Sequence, residues 1–151
     1  MTTDVIALLN GLIETSTDGE RSFTKAAEAA QHATVNDGLL EIAARCSYGA
    51  RELQCLVSKL GGRPESGGSV AGALHRGWLE VKSVVGARSD HAILADCEKR
   101  EDVAEKRFHD VLEKDLPSDV TAVVARLYHG VAKNRERVRS MRDQYAPAEV
   151  P

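Results

Sequence analysis

The chain has 151 residues, 42% of them hydrophobic, 28% charged and 4% aromatic, a composition that suits one globular domain and excludes a disordered chain. Its 20 Lys and Arg against 23 Asp and Glu leave a formal charge of -3, which argues against a protein that holds nucleic acid through its phosphates. No apolar run approaches the roughly 18 residues that cross a bilayer, and Asp4 stands where a secretory signal would carry a basic residue, so a cytoplasmic protein without membrane contact is expected.

Apolar spacing predicts helices throughout, and strand signals are absent. Helix one is expected over about 3–32, with Thr3 as N-cap. Ile6, Leu9, Ile13, Phe23, Ala27 and Ala30 recur at steps of three and four along it, and Val5, Leu8, Leu12 and Ala26 widen the stripe. Asn36-Asp37-Gly38 reads as a turn and cap, so helix two is expected over about 37–61 with Leu39, Ile42, Cys46, Gly49, Leu53, Leu56 and Leu60 inward. Gly61-Gly62-Arg63-Pro64 ends it, glycine by capping and proline by forbidding continuation. After the flexible stretch 65–68, Ser69 caps a shorter helix expected over about 70–85.

Helix three follows over about 91–114, with Leu94, Cys97, Ala104, Phe108 and Val111 inward. Leu116-Pro117-Ser118-Asp119 makes a tight connection to helix four, about 118–145, whose inward residues are Val120, Val124, Leu127, Val131, Val138 and Met141. Lys133, Arg135, Arg137, Arg139 and Arg142 crowd the end of that helix, where cations favour the macrodipole; this account is preferred to a nucleic-acid patch. Four long helices with a short one between the second and third predict an all-α fold, a ferritin-like antiparallel four-helix bundle with a helical crossover. A weak internal repeat fits it. Ala44–Ala50 aligns ungapped with Ala125–Val131, and on helices one and three Leu9 meets Leu94, Glu20 meets Glu105 and Phe23 meets Phe108.

Cys46, Cys55 and Cys97 form no Cys-x-x-Cys pair, and Cys46 and Cys55 point to opposite sides of one helix. All three are expected to be small, buried, reduced thiols. The five histidines show no zinc-like spacing. Acidic residues beside imidazoles, Asp102 and Glu105 with His109 and Glu28 with His32, read as solvated helix faces.

Three polar residues fall on the inward seams: Glu20, Glu101 and Asn134. A carboxylate inside a bundle is costly unless it is paired, protonated or bound to a cation. Two readings follow. Glu20 or Glu101 pairs with Arg45, Arg126 or Asn134 in an ordinary polar layer, or Glu20 and Glu101 hold iron or another divalent ion. A standard di-iron centre needs a Glu-x-x-His pair on each of two helices. No Asp or Glu here is followed at that spacing by His; the inward pairs are Cys46 with Gly49 and Leu127 with Gly130.

The segment Gly68-Ser69-Val70-Ala71-Gly72-Ala73-Leu74-His75-Arg76-Gly77-Trp78 holds the single Trp, and His75, Arg76 and Trp78 are candidates for an interface. With Leu12-Ile13-Glu14-Thr15, Asp18-Gly19, Cys97-Glu98, Glu101-Asp102 and Lys114-Asp115-Leu116-Pro117, it resembles a bacterial family of four-helix-bundle proteins of unknown function. The resemblance runs from about Asp4 to Asp143 and implies the ferritin-like bundle and crossover, with no activity to carry over. The expected function is therefore a non-enzymatic structural or interaction protein, acting as a homodimer or other small homo-oligomer and without cofactor. The alternative is an atypical metal-binding or redox protein using Glu20 and Glu101. Nucleophile–base pairs and phosphate loops are absent.

Overall fold

The computed structural model describes residues 2–68 and 89–145. They form four helices: α1 (Thr2–Ala29), α2 (Ala33–Lys59), α3 (Asp90–Leu112) and α4 (Ser118–Gln144). The short helix expected over 70–85, and with it His75, Arg76 and Trp78, lies outside the described residues. None of the described helices is long and apolar enough to cross a membrane.

The helices pair as α1 with α2 and α3 with α4, and the two hairpins meet through α1 against α3 and, more loosely, α2 against α4. The chain leaves α2 at one end of the bundle and enters α3 at the other, because Asp90 bonds to Gln31 and His32 at the α1–α2 turn. The end of α2 and the start of α3 are therefore separated by about the length of α2, whose 27 residues span about 40 Å. This is the ferritin-like topology that the helix count and spacing predict.

One helix boundary needs correction. Asn36, Asp37 and Gly38 lie inside α2, and the break falls at residues 30–32. A distant group decides this: the Asp90 carboxylate takes the Gln31 and His32 N–H groups, each at 2.8 Å, and so ends α1 early and starts α2 early. Asn36 contributes a hydrogen bond from Nδ2 to the Ala27 carbonyl at 2.7 Å instead of a cap. The other end of α2 is as expected. Gly61 takes φ +84°, and the N–H groups of Gly61 and Gly62 reach back to the carbonyls of Ser58 and Val57, the two bonds of a Schellman cap.

The buried apolar residues fall into two clusters, one at each end of the bundle. One gathers Phe23, Val35, Leu39, Ile42, Ile93, Leu94 and Val138; the other gathers Leu9, Ile13, Leu53, Val57, Phe108, Val120 and Val124. Phe23 and Phe108, matched by the sequence repeat, are each 1% exposed and sit one in each cluster. That placement is what a two-fold relation between hairpins requires. Ile6, Ala30 and Leu60 are only half-buried because they lie at the bundle ends.

The arginines near the end of α4 do more than favour a helix dipole. Arg135 meets Asp102 at 2.7 Å and Glu105 at 2.8 Å, while Arg139 and Arg142 both donate to Glu98 on α3. Arg137 approaches Glu41 on α2 at 3.9 Å. The expectation of three buried thiols also needs correction: Cys97 is buried, Cys46 half-buried and Cys55 exposed, because Cys55 lies on the outer face of α2.

Candidate functional site

Between the two apolar clusters a pocket opens from the α2–α4 side into the middle of the bundle. A cavity of about 260 Å³ is lined by residues from all four helices. Ser16 and Gly19 come from α1, Cys46 and Gly49 from α2, Glu101 and Ala104 from α3, and Leu127, Gly130 and Asn134 from α4. The inward pairs singled out by spacing, Cys46 with Gly49 and Leu127 with Gly130, therefore do face one another across one space. On its solvent side the cavity is bordered by Arg45, Tyr48, Glu52 and Arg126. Tyr48 is 68% exposed, and Arg126 makes two hydrogen bonds to the Glu52 carboxylate at 2.6 and 2.9 Å.

The void has a simple origin. Gly49 and Gly130 occupy helix-interior positions that point at it. A Cβ on Gly130 would meet nothing within 4 Å, and one on Gly49 would meet only a Leu127 methyl at 3.6 Å. Glycine in a helix interior costs about 1 kcal/mol relative to alanine. Gly49→Ala and Gly130→Ala are thus each expected to raise stability by about 0.5–1 kcal/mol while narrowing the cavity, as denaturant titration with unchanged m-value would show. Gly19 has a different reason to lack a side chain, since a Cβ there would come within 2.9 Å of the Cys46 sulfur.

Glu101 is the chemical centre of this space. It is 3% exposed, and its Oε2 is buried without a hydrogen-bond partner. Burial, opposed by Arg100 and reinforced by Glu105 and Asp102, pushes its carboxyl up to about 8, so at neutral pH it keeps its proton. Burial, with the charges of Glu101 and Glu20, also pushes the Cys46 thiol well above its ordinary range. A thiol that holds its proton is a poor nucleophile and a poor metal ligand.

Asn134 is buried on the opposite hairpin partner of Glu101's helix, and its Oδ1 accepts a hydrogen bond from Arg45 Nη1 at 3.4 Å. Glu20 is half-buried and does not line the cavity. In the repeat Glu20 corresponds to Glu105, which pairs with Arg135, and Glu101 corresponds to Ser16, which is buried on the cavity wall. The residues expected to pair with Glu20 or Glu101 take other partners: Arg45 meets Asn134, and Arg126 meets Glu52.

A dinuclear iron centre does not fit these residues. Two of the positions that would supply ligands are glycine, one is leucine and one is a thiol held protonated. Among the described residues, the one cluster of three ligand atoms close enough to share an ion is His109, Asp110 and Glu113, all exposed on α3. Asp110 there is already held by Lys106 at 2.9 Å. His32, by contrast, bonds through Nδ1 to Asp90 at 2.7 Å and stacks on Tyr145 with ring centroids 4.5 Å apart. It belongs to the joint at the end of the bundle.

Comparison with solved structures finds a similar fold in a two-domain protein from Anabaena variabilis that contains DJ-1/ThiJ/PfpI-like and ferritin-like domains, with a TM-score of 0.78 and 13% sequence identity. The match covers all of this chain and 40% of that one, so the chain spans well under half of its length. At that identity the likeness shows the ferritin-like fold alone. No curated protein matches the sequence. Residues 4–114 match the family described as a domain of unknown function, DUF2383. The chain belongs to that family of unknown function, DUF2383, and carries it on a ferritin-like four-helix bundle.

Proposed function

We propose that this chain is a non-enzymatic binding protein whose bundle centre takes a small organic molecule in place of a metal pair. The observation that carries this reading is the central cavity of about 260 Å³, into which Glu101 presents a carboxyl with an unpartnered, buried oxygen. Concave pockets with mostly apolar walls and a few buried polar groups are where small organic ligands bind. Here the hollow is bounded by two helix-interior glycines that alanine could replace without collision. Among the described residues, the lining offers a thiol that holds its proton, a buried carboxyl and an amide, a set suited to holding a small molecule.

The test is thermal unfolding of the purified protein with a small apolar probe, ethylbenzene, and separately with ferrous, manganous and zinc ions. Ethylbenzene is expected to raise Tm saturably, because a ligand of the native state alone stabilises by mass action. Gly130→Leu, which fills the cavity, is expected to abolish that rise while folding normally. Saturable stabilisation by a metal that disappears when Glu20 and Glu101 are both changed to Gln would overturn the reading in favour of a cation site.

A further inference from the structure

Building on the reading of the centre as an organic-molecule site, we propose that its ligand is uncharged and carries a hydrogen-bond acceptor. The fitting class is a carbonyl compound of about ten non-hydrogen atoms, received by the Glu101 carboxyl and the Asn134 amide between apolar walls.

Size follows from the void. A cavity of about 150 Å³ accepts benzene, and this one is about 260 Å³. Polarity follows from what remains unsatisfied on the wall. Glu101 is buried, and its Oε2 meets no donor among the described residues. Burial outweighs the charge of Arg100 there and favours the neutral acid, which donates one hydrogen bond through its O–H. Asn134, also buried on this wall, accepts from Arg45 through Oδ1 and carries N–H donors on the same amide. Ser16 adds a hydroxyl on the facing helix. The wall therefore offers donors, and a carbonyl oxygen is the group that uses them.

Charge excludes the alternatives. A cationic ligand would have to pass between Arg45 and Arg126, which border the solvent side. An anionic ligand would be stripped of water and placed near Glu20, Asp102 and Glu105, whose charges already act on this region. Both cost more than a neutral ligand does. Entry is expected on the α2–α4 side, where the helices pack most loosely and the Glu52–Arg126 pair is exposed enough to part.

The proton on Glu101 makes the preference depend on pH. The groups around it are Glu20 and Asp18 on α1, Cys46, Arg45 and Glu52 on α2, Arg100, Asp102, Glu105 and Arg107 on its own helix, and Arg126 with the uncharged Asn134 on α4. With its carboxyl pushed up to about 8, Glu101 donates below that pH and can only accept above it.

The experiment compares four probes of nearly one shape by thermal shift and calorimetry: acetophenone, ethylbenzene, benzoate and benzylamine. Acetophenone is expected to bind about tenfold more tightly than ethylbenzene at pH 6.5, the worth of one net hydrogen bond, and both charged probes more weakly than either. The acetophenone preference should fade above pH 8 in the unaltered protein. It should persist at every pH in Glu101→Gln, whose amide still donates, and vanish in Glu101→Leu while ethylbenzene still binds. Equal binding of ethylbenzene and acetophenone, or tightest binding of benzylamine or benzoate, would overturn the ligand class and leave the cavity reading standing. No shift with any of the four would overturn both.

Discussion

Glu101→Gln is expected to raise the melting temperature by about 10 °C at pH 8.5 and to change it little near pH 4.5. The carboxyl is buried among four helices with one oxygen unpartnered, and burial pushes it from an ordinary 4.5 up to about 8. Between those two values the folded protein holds a proton that the unfolded chain releases. Stability therefore falls as pH rises through that window and levels off above it. Each unit of the span is worth about 1.4 kcal/mol; with water able to reach the adjoining cavity, a loss of about 3 kcal/mol in all is expected. Glutamine has the shape and neutrality of the protonated acid and does not titrate, so its advantage grows across the window. Melting curves of both proteins at half-unit pH intervals make the comparison. A difference that stays constant with pH would show that Glu101 is ionised in the fold.

The same residue shows how far the sequence could be read. The seams of three-and-four spacing place Glu101 and Asn134 inside correctly, because both sit in unbroken helices where periodicity is the whole of the geometry. Glu20 lies on an equally good seam by counting and yet only skirts the interior. The antiparallel contacts Gln31–Asp90, Asp18–Arg100 and Thr15–Arg107 put Glu20 near the height of Glu101, so the direction it faces around α1, which counting along a seam fixes only coarsely, keeps it off the pocket wall. The hollow itself was half visible in Gly49 and Gly130. Whether two glycines leave a void or let helices close up depends on neighbouring side-chain volumes, which spacing does not convey. The start of α2 was hidden for another reason. Its determinant, Asp90, is 58 residues along the chain from His32, and local turn chemistry at Asn36-Asp37-Gly38 pointed elsewhere. The arginines of α4 were assigned to a helix dipole because their acidic partners, Glu98, Asp102 and Glu105, lie on another helix.

Asp90→Ala is expected to destabilise the protein by about 3 kcal/mol, about 10 °C in Tm, more than any single change on the outer faces. The side chain is 1% exposed and joins three elements. From the first turn of α3 it accepts the Gln31 and His32 N–H groups, each at 2.8 Å, and the His32 imidazole at 2.7 Å. That imidazole in turn stacks on Tyr145 at the end of α4. Removing the carboxylate leaves donors at the α1–α2 turn unpaired and separates the turn from the start of α3, so the loss exceeds that of an ordinary helix cap. Acid should act in the same way. Burial alone would raise the Asp90 carboxyl, but the two backbone N–H groups and the imidazole outweigh it and hold the group below its ordinary 3.8. Its contribution is therefore complete above the unfolded value and is lost as pH falls through the lower folded value. Asp90→Asn, which keeps one acceptor oxygen but cannot ionise, should be destabilised near neutrality and should lack that acid-dependent segment. Hydrogen exchange gives the local readout: the N–H groups of Gln31 and His32 should lose protection in Asp90→Ala far more than amides in the middle of α2. Equal loss along the whole of α2 would mean that the joint has no separate role and that Asp90 contributes only to global stability.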